Sequence, residues 1–191
     1  MDFKNLSRLI TFGALQFAFL MFIAECLYPG YSISNNYISD LGVGPEPSRT
    51  LFTGSIIIFG VCILVASLLF LRGGSDKTFV ICLALAGIGS IGVGLFNEVD
   101  HNLLHRISAF LAFALGAAGV LLSMRITRPS FAYTSLVLGT ISLSALVLFL
   151  TGNYLGLGPG GMERMIAYPI IFWGIAFGAY LMYPSRQKAI K

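Results

Sequence analysis

Thr78-Phe-Val-Ile-Cys-Leu-Ala-Leu-Ala-Gly-Ile-Gly-Ser-Ile-Gly-Val-Gly-Leu-Phe96, followed at once by Asn97-Glu98-Val99-Asp100-His101, decides the fold. The first part carries no charge. It is long enough to cross a hydrocarbon core, which takes about 20 residues of helix. The second part cannot stay in hydrocarbon, because charge there is costly. The same alternation continues in both directions. Apolar spans fall at about 8–28, 51–71, 78–96, 103–124, 131–151 and 163–183. The breaks are Arg72-Gly-Gly-Ser-Asp-Lys77, Arg125-Ile-Thr-Arg-Pro129, and residues 152–161, which are glycine-rich and carry Pro159. The chain therefore reads as all-α: one integral membrane domain over residues 1–191, a six-transmembrane-helix bundle.

Composition closes the alternatives. The chain is 57% hydrophobic and 10% charged, against about 25% charged for a soluble domain. A soluble fold of this length has nowhere to bury so much apolar surface, and no second domain fits. The net charge of +4 is scattered over short loops and tails. That pattern is no nucleic-acid footprint, so the expected partner is membrane lipid. Cys62 and Cys82 lie inside spans and read as small packing residues, with Cys26 near the end of the first. The first apolar run is longer than a signal core and lacks a small-x-small site, so an uncleaved helix is expected.

Lys and Arg set the expected direction. Lys4, Arg8, Arg72, Lys77, Arg125, Arg128, Arg186, Lys188 and Lys191 fall on one side; Arg49, Arg106 and Arg164 fall on the other. The positive-inside rule then places both termini in the cytoplasm of a multi-pass cell-membrane protein. Tyr28, Tyr31 and Tyr154 fall at the outer boundary and Tyr133, Tyr180 and Tyr183 at the inner one, where tyrosine anchors belong. Trp173, mid-span, reads as packing.

Both histidines and six of the eight acids (Glu25, Asp40, Glu46, Glu98, Asp100 and Glu163) map to the outer side. Asp100-His101-x-x-x-His105 is the most suggestive motif. If it opens the fourth span, the two imidazoles lie one turn apart on one face and offer two ligands to a divalent metal such as zinc. Glu98, Asp100, Glu25, Asp40 and Glu163 are the acids available to complete the shell. Asp100 could instead cap the helix. Haem is not expected, because one helical turn cannot straddle a porphyrin.

Glu163-Arg164 follows Gly156-Leu-Gly-Pro-Gly-Gly161 and reads as the start of the last span. A helix N-terminus with a guanidinium beside it suits an anion such as a lipid phosphate, with Arg106 on the same side. The bland alternative is a helix-start acid and a snorkelling arginine. Pro169 is expected to bend that span. Within Asn35-Asn36-Tyr37-Ile38-Ser39-Asp40-Leu41-Gly42, apolar Tyr37, Ile38 and Leu41 suggest a short helix or lid over the bundle mouth, with Ser39 and Asp40 turned into it. Ser39 has no recognisable nucleophile setting. The stripe Gly87-Ile-Gly89-Ser90-Ile-Gly92-Val-Gly94 leaves a smooth helix side, for tight packing or for an acyl chain.

Asn36-x-x-Ser39-Asp40-Leu41-Gly42, Gly94-Leu-Phe-Asn97-Glu98 before a histidine, and Gly161-Met-Glu163-Arg164 together resemble the prokaryotic membrane proteins catalogued as domain of unknown function 998. The resemblance covers most of the chain. It implies a six-helix membrane protein and brings no activity with it.

The functional expectation is an outward polar pocket for a lipid headgroup or similar amphiphile. Glu25, Ser39, Arg106, Glu163 and Arg164 would bind it. Were it hydrolysed or transferred, Asp40, Glu98, Asp100, His101 and His105 would supply acid–base or metal chemistry. The rival is a non-enzymatic subunit or scaffold whose polar cluster only pairs helix ends. A small transporter is third, opposed by the absence of charge near the midplane.

Overall fold

Six long helices follow one another as the alternation requires. In the computed structural model, which describes residues 3–183, they are α1 (Phe3–Leu27), α2 (Ser48–Arg72), α3 (Lys77–Leu95), α4 (Asn102–Arg125), α5 (Pro129–Leu150) and α6 (Gly158–Leu181). All six are long and apolar enough to cross a membrane. Their connections alternate between two ends. One end carries the long first loop and both histidines, and is called the histidine end below. The other carries Arg72, Lys77, Arg125 and Arg128, and is called the basic end. Arg186, Lys188 and Lys191 lie outside the described residues.

Solvent chemistry shows in which side chains point outward. Phe12, Phe19, Phe22, Ile81, Ile88 and Val147 are exposed, as suits helices solvated by lipid. Inside, small residues bring backbones together. A Cβ on Gly60 would lie 2.6 Å from the Gly87 carbonyl oxygen, and one on Gly89 would lie 2.6 Å from both Ala112 N and the Ser108 carbonyl oxygen. The glycine stripe of α3 is thus spent on contact with α2 and α4. It leaves no groove for an acyl chain along that face.

Toward the basic end, aromatic residues fill the centre. Trp173 and Phe177 stack at 4.5 Å, and Trp173 Nε1 donates to Ser135 Oγ at 3.0 Å, so this tryptophan is the packing residue expected. Tyr180 departs from expectation. It is buried, and its hydroxyl accepts from Arg128 N at 3.0 Å, so it ties a turn down rather than anchoring at an interface. Tyr133 and Tyr183 are exposed, as anchors are. Asp76 caps α3 by accepting from Phe79 N at 2.9 Å.

Two local features position the site. The last helix begins at Gly158, five residues earlier than expected, with Pro159 in its first turn. Proline fixes φ and lacks only an N–H that a helix start cannot use, so the Gly-Pro stretch starts the helix rather than interrupting it. Glu163 and Arg164 therefore occupy the second turn. α6 also runs unbroken through Pro169. The irregularity lies instead in α4, whose residues Leu111–Leu115 form a π-helical turn between two α-helical stretches.

Candidate functional site

The first loop folds on its own polar groups. Asn36 is the staple: its Oδ1 accepts from Ser32 N at 3.0 Å, and its Nδ2 donates to Asp40 Oδ2 at 2.9 Å. Asp40 Oδ2 also accepts from Tyr37 N at 2.9 Å. A short 3-10 turn, Ser39–Gly42, follows, with Ile38 and Leu41 buried beneath it. This is the lid-like turn that the apolar positions imply. Its two polar residues, Ser39 and Asp40, are the ones held over the bundle.

Arg164 clamps this loop. Its side chain is buried and faces five acceptors. Nη1 donates to the carbonyls of Ile33 (3.0 Å), Asn36 (3.1 Å) and Gly160 (2.9 Å). Nη2 donates to Glu25 Oε1 and to the Tyr31 hydroxyl, which itself donates to the Tyr37 carbonyl at 2.7 Å. The N-terminus of α6 is closed as well: Gly160 N and Gly161 N point at the Ser34 carbonyl, at 2.9 and 3.4 Å. The open anion site expected from Arg164 and this helix start is therefore not formed. The anion on Arg164 is Glu25, and the loop backbone fills the rest. Of the three guanidinium nitrogens, Nε alone has no partner among the described residues.

A second group of residues does converge on open space. Ser39, His105 and Glu163 line a cleft of about 400 Å³ together with Glu98, Asn102 and Arg106. Ser39 Oγ donates to Glu98 Oε2 at 3.1 Å, and the Asp40 carboxyl lies close against that of Glu98. Glu163 Oε2 accepts from Ile38 N. His105 Nδ1 lies 2.8 Å from the Phe96 carbonyl. The cleft is walled by Phe110 and Phe113 of α4 and by Leu146, Phe149 and Leu150 of α5. Ser39, His105, Ala109, Phe113 and Glu163 also line an adjoining chamber of about 60 Å³, closed off by Phe17, Phe52, Phe59 and Ile171. Ala112 and Phe113, from the π turn, form part of its wall.

Three expected residues do not join the cluster. Asp100 is exposed and accepts from Asn97 Nδ2 at 2.8 Å; it does not cap the helix. His101 takes the N-cap position with φ −134° and ψ 45°, outside the helix proper, and its exposed ring lies 5.9 Å from that of Phe96. His105 is buried within the helix, so the two imidazoles sit in different environments. Among the described residues no three of His, Cys, Asp and Glu gather into a metal shell. Glu25 is buried under the Arg164 clamp, away from the cleft lining. Sequence reasoning missed the walls: Phe110, Phe113 and Phe149 carry no signal separating them from ordinary lipid-facing or core aromatics.

The Glu98 carboxyl is pushed up to about 7, first by burial and then by the Asp40 carboxyl against it, with the Ser39 hydroxyl pulling the other way. Its ordinary value is 4.5. Between those two values the folded protein keeps a proton that the unfolded chain has released. Stability therefore falls as pH rises through this window and levels off above it. The thermal midpoint of the purified protein is expected to drop between pH 5 and about pH 7.5. In Glu98→Gln that slope should flatten; an unchanged slope would assign it to other groups.

A helical membrane bundle with a sided, half-polar cleft is what these elements define: a multi-pass membrane protein. The chain belongs to the family described as "Protein of unknown function (DUF998)", whose profile matches residues 11–180. No curated protein and no solved structure matches the chain.

Proposed function

We propose that this protein takes up a lipid-like amphiphile from the membrane, with the head group in the cleft at the histidine end. The observation that carries the reading is the shape of the cleft's lining. Its buried and half-buried polar lining is Ser39, Glu98, His105 and Glu163, while Phe110 and Leu150 in the same lining are apolar and exposed. A ligand that is polar at one end and hydrocarbon at the other matches such a gradient, and the volume lies within the roughly 300–1,000 Å³ of small-molecule sites. The scaffold alternative accounts for Glu25 and Arg164, which satisfy each other. It leaves Glu98, His105 and Arg106 facing a cavity without purpose.

The charge count over the two ends, nine Lys and Arg against three, supports cytoplasmic termini and a cleft on the extracytoplasmic side. Native mass spectrometry of gently purified protein tests the uptake. Wild type should carry a bound lipid. Ala109→Trp, which fills the junction of cleft and chamber, should lose most of it while keeping a cooperative thermal transition. Equal lipid occupancy in the two proteins would reject the cleft as the site.

A further inference from the structure

We propose that the head group held in this cleft bears a primary ammonium, with its phosphate directed to Arg106 at the rim. The inference rests on the amphiphile reading above and adds the class of ligand.

His105 supplies the first argument. It is 6% exposed, and its Nδ1 faces the Phe96 carbonyl oxygen, which can only accept. Nδ1 must therefore carry a hydrogen, and in the Nδ1–H tautomer Nε2 is left as an acceptor. Among the described residues nothing donates to Nε2, and His105 lines both cleft and chamber. In that tautomer the ring can accept from a donor that the ligand brings into the cavity.

The carboxyls supply the second. Glu98 lines the cleft and accepts from Ser39 Oγ, and the Asp40 carboxyl lies close against it, so a proton or a cation between the two carboxyls is favoured. Glu163 sits in the same lining. The floor is thus lined by carboxyl oxygens, between which a cation can take the place of a shared proton. An ammonium brings one positive charge and three N–H donors, which suits both the imidazole and the carboxyls. A quaternary amine brings the charge and no donors. An anionic head group brings charge of the wrong sign to the floor.

Arg106 supplies the third. It lines the same cleft, is exposed, and has no ion-pair partner among the described residues. A guanidinium at the mouth, over an acidic floor, has the polarity of a zwitterion read from phosphate to amine.

The test uses three short-chain probes on the full-length protein in detergent: dihexanoyl phosphatidylethanolamine, phosphatidylcholine and phosphatidylglycerol. Binding is followed by intrinsic fluorescence and native mass spectrometry. The ethanolamine probe should bind about tenfold tighter than either of the others, the scale of one charged hydrogen bond. Glu98→Gln should erase that preference without weakening the glycerol probe, and Arg106→Ala should weaken all three alike. If Glu98→Gln does not fold, the ranking on wild type decides alone. Equal affinities, or a preference for the glycerol probe, overturn the ammonium and leave the amphiphile reading standing. No binding by any probe overturns both.

Discussion

Arg164→Ala is expected to destabilise the protein by about 3–5 kcal/mol, the cost of breaking a buried pair from one side. The substitution strands Glu25, whose side chain is 7% exposed and whose cationic partner is Arg164. It also removes the donor shared by the Ile33, Asn36 and Gly160 carbonyls and breaks the link through Tyr31 to Tyr37. Those carbonyls hold the first loop over the bundle, so the loop should loosen with the helix contact. Arg164→Lys should recover little, because one ammonium cannot reach three carbonyls, a phenol and a carboxylate as a planar fork does. Adding Glu25→Gln to Arg164→Ala should restore part of the loss, since the amide leaves no buried charge behind. Thermal unfolding in detergent reads the first effect, and proteolysis within residues 28–47 reads the second. A shift below about 0.5 kcal/mol, the size of an ordinary surface change, would show that the clamp carries nothing.

How far the sequence reaches depends on which physical force is being read. Hydropathy fixes the six helices because lipid penalises every charge, and that penalty is written residue by residue. It also sends the polar residues to one end, so the meeting of Asp40, Glu98, Glu163 and His105 is legible as a location. Partner choice is not legible. Arg164 and Glu25 lie 139 residues apart, and nothing local says that this arginine faces an acid and loop carbonyls rather than a ligand. The histidines show the reverse error. Spacing of four suggests one helical face, yet the helix starts just after His101, and a one-residue boundary decides which environment each ring enters. The last helix fails for a related reason. Glycine and proline read as loop, while Gly158 and Pro159 here begin a helix, because the Ser34 carbonyl from the first loop supplies the partner for its exposed N–H groups.

Gly160→Ala should prove the most damaging single methyl in the chain. A Cβ at this position lands on the Asn36 carbonyl oxygen, closer than non-bonded atoms approach, and 2.7 Å from the Ile33 carbonyl oxygen. These are backbone atoms that cannot rotate aside, and both carbonyls are acceptors of Arg164. Making room for the methyl pushes the loop off α6 and stretches the clamp together with the Ser34 contact. Overpacking alone costs about 1–3 kcal/mol, and the strained hydrogen bonds add to it. Gly54, inside α2, gives the matching control: a Cβ there meets nothing within 4 Å. Gly54→Ala should stabilise its helix by about 0.5–1 kcal/mol, because alanine loses less backbone freedom than glycine. Chemically identical substitutions should thus move the thermal midpoint in opposite directions. Gly160→Ala should also flatten the slope between pH 5 and about pH 7.5, since the moved loop carries Ser39 and Asp40 away from Glu98. If the slope survives while the midpoint falls, the loop has found room without moving its tip, and the link from helix start to cleft is broken.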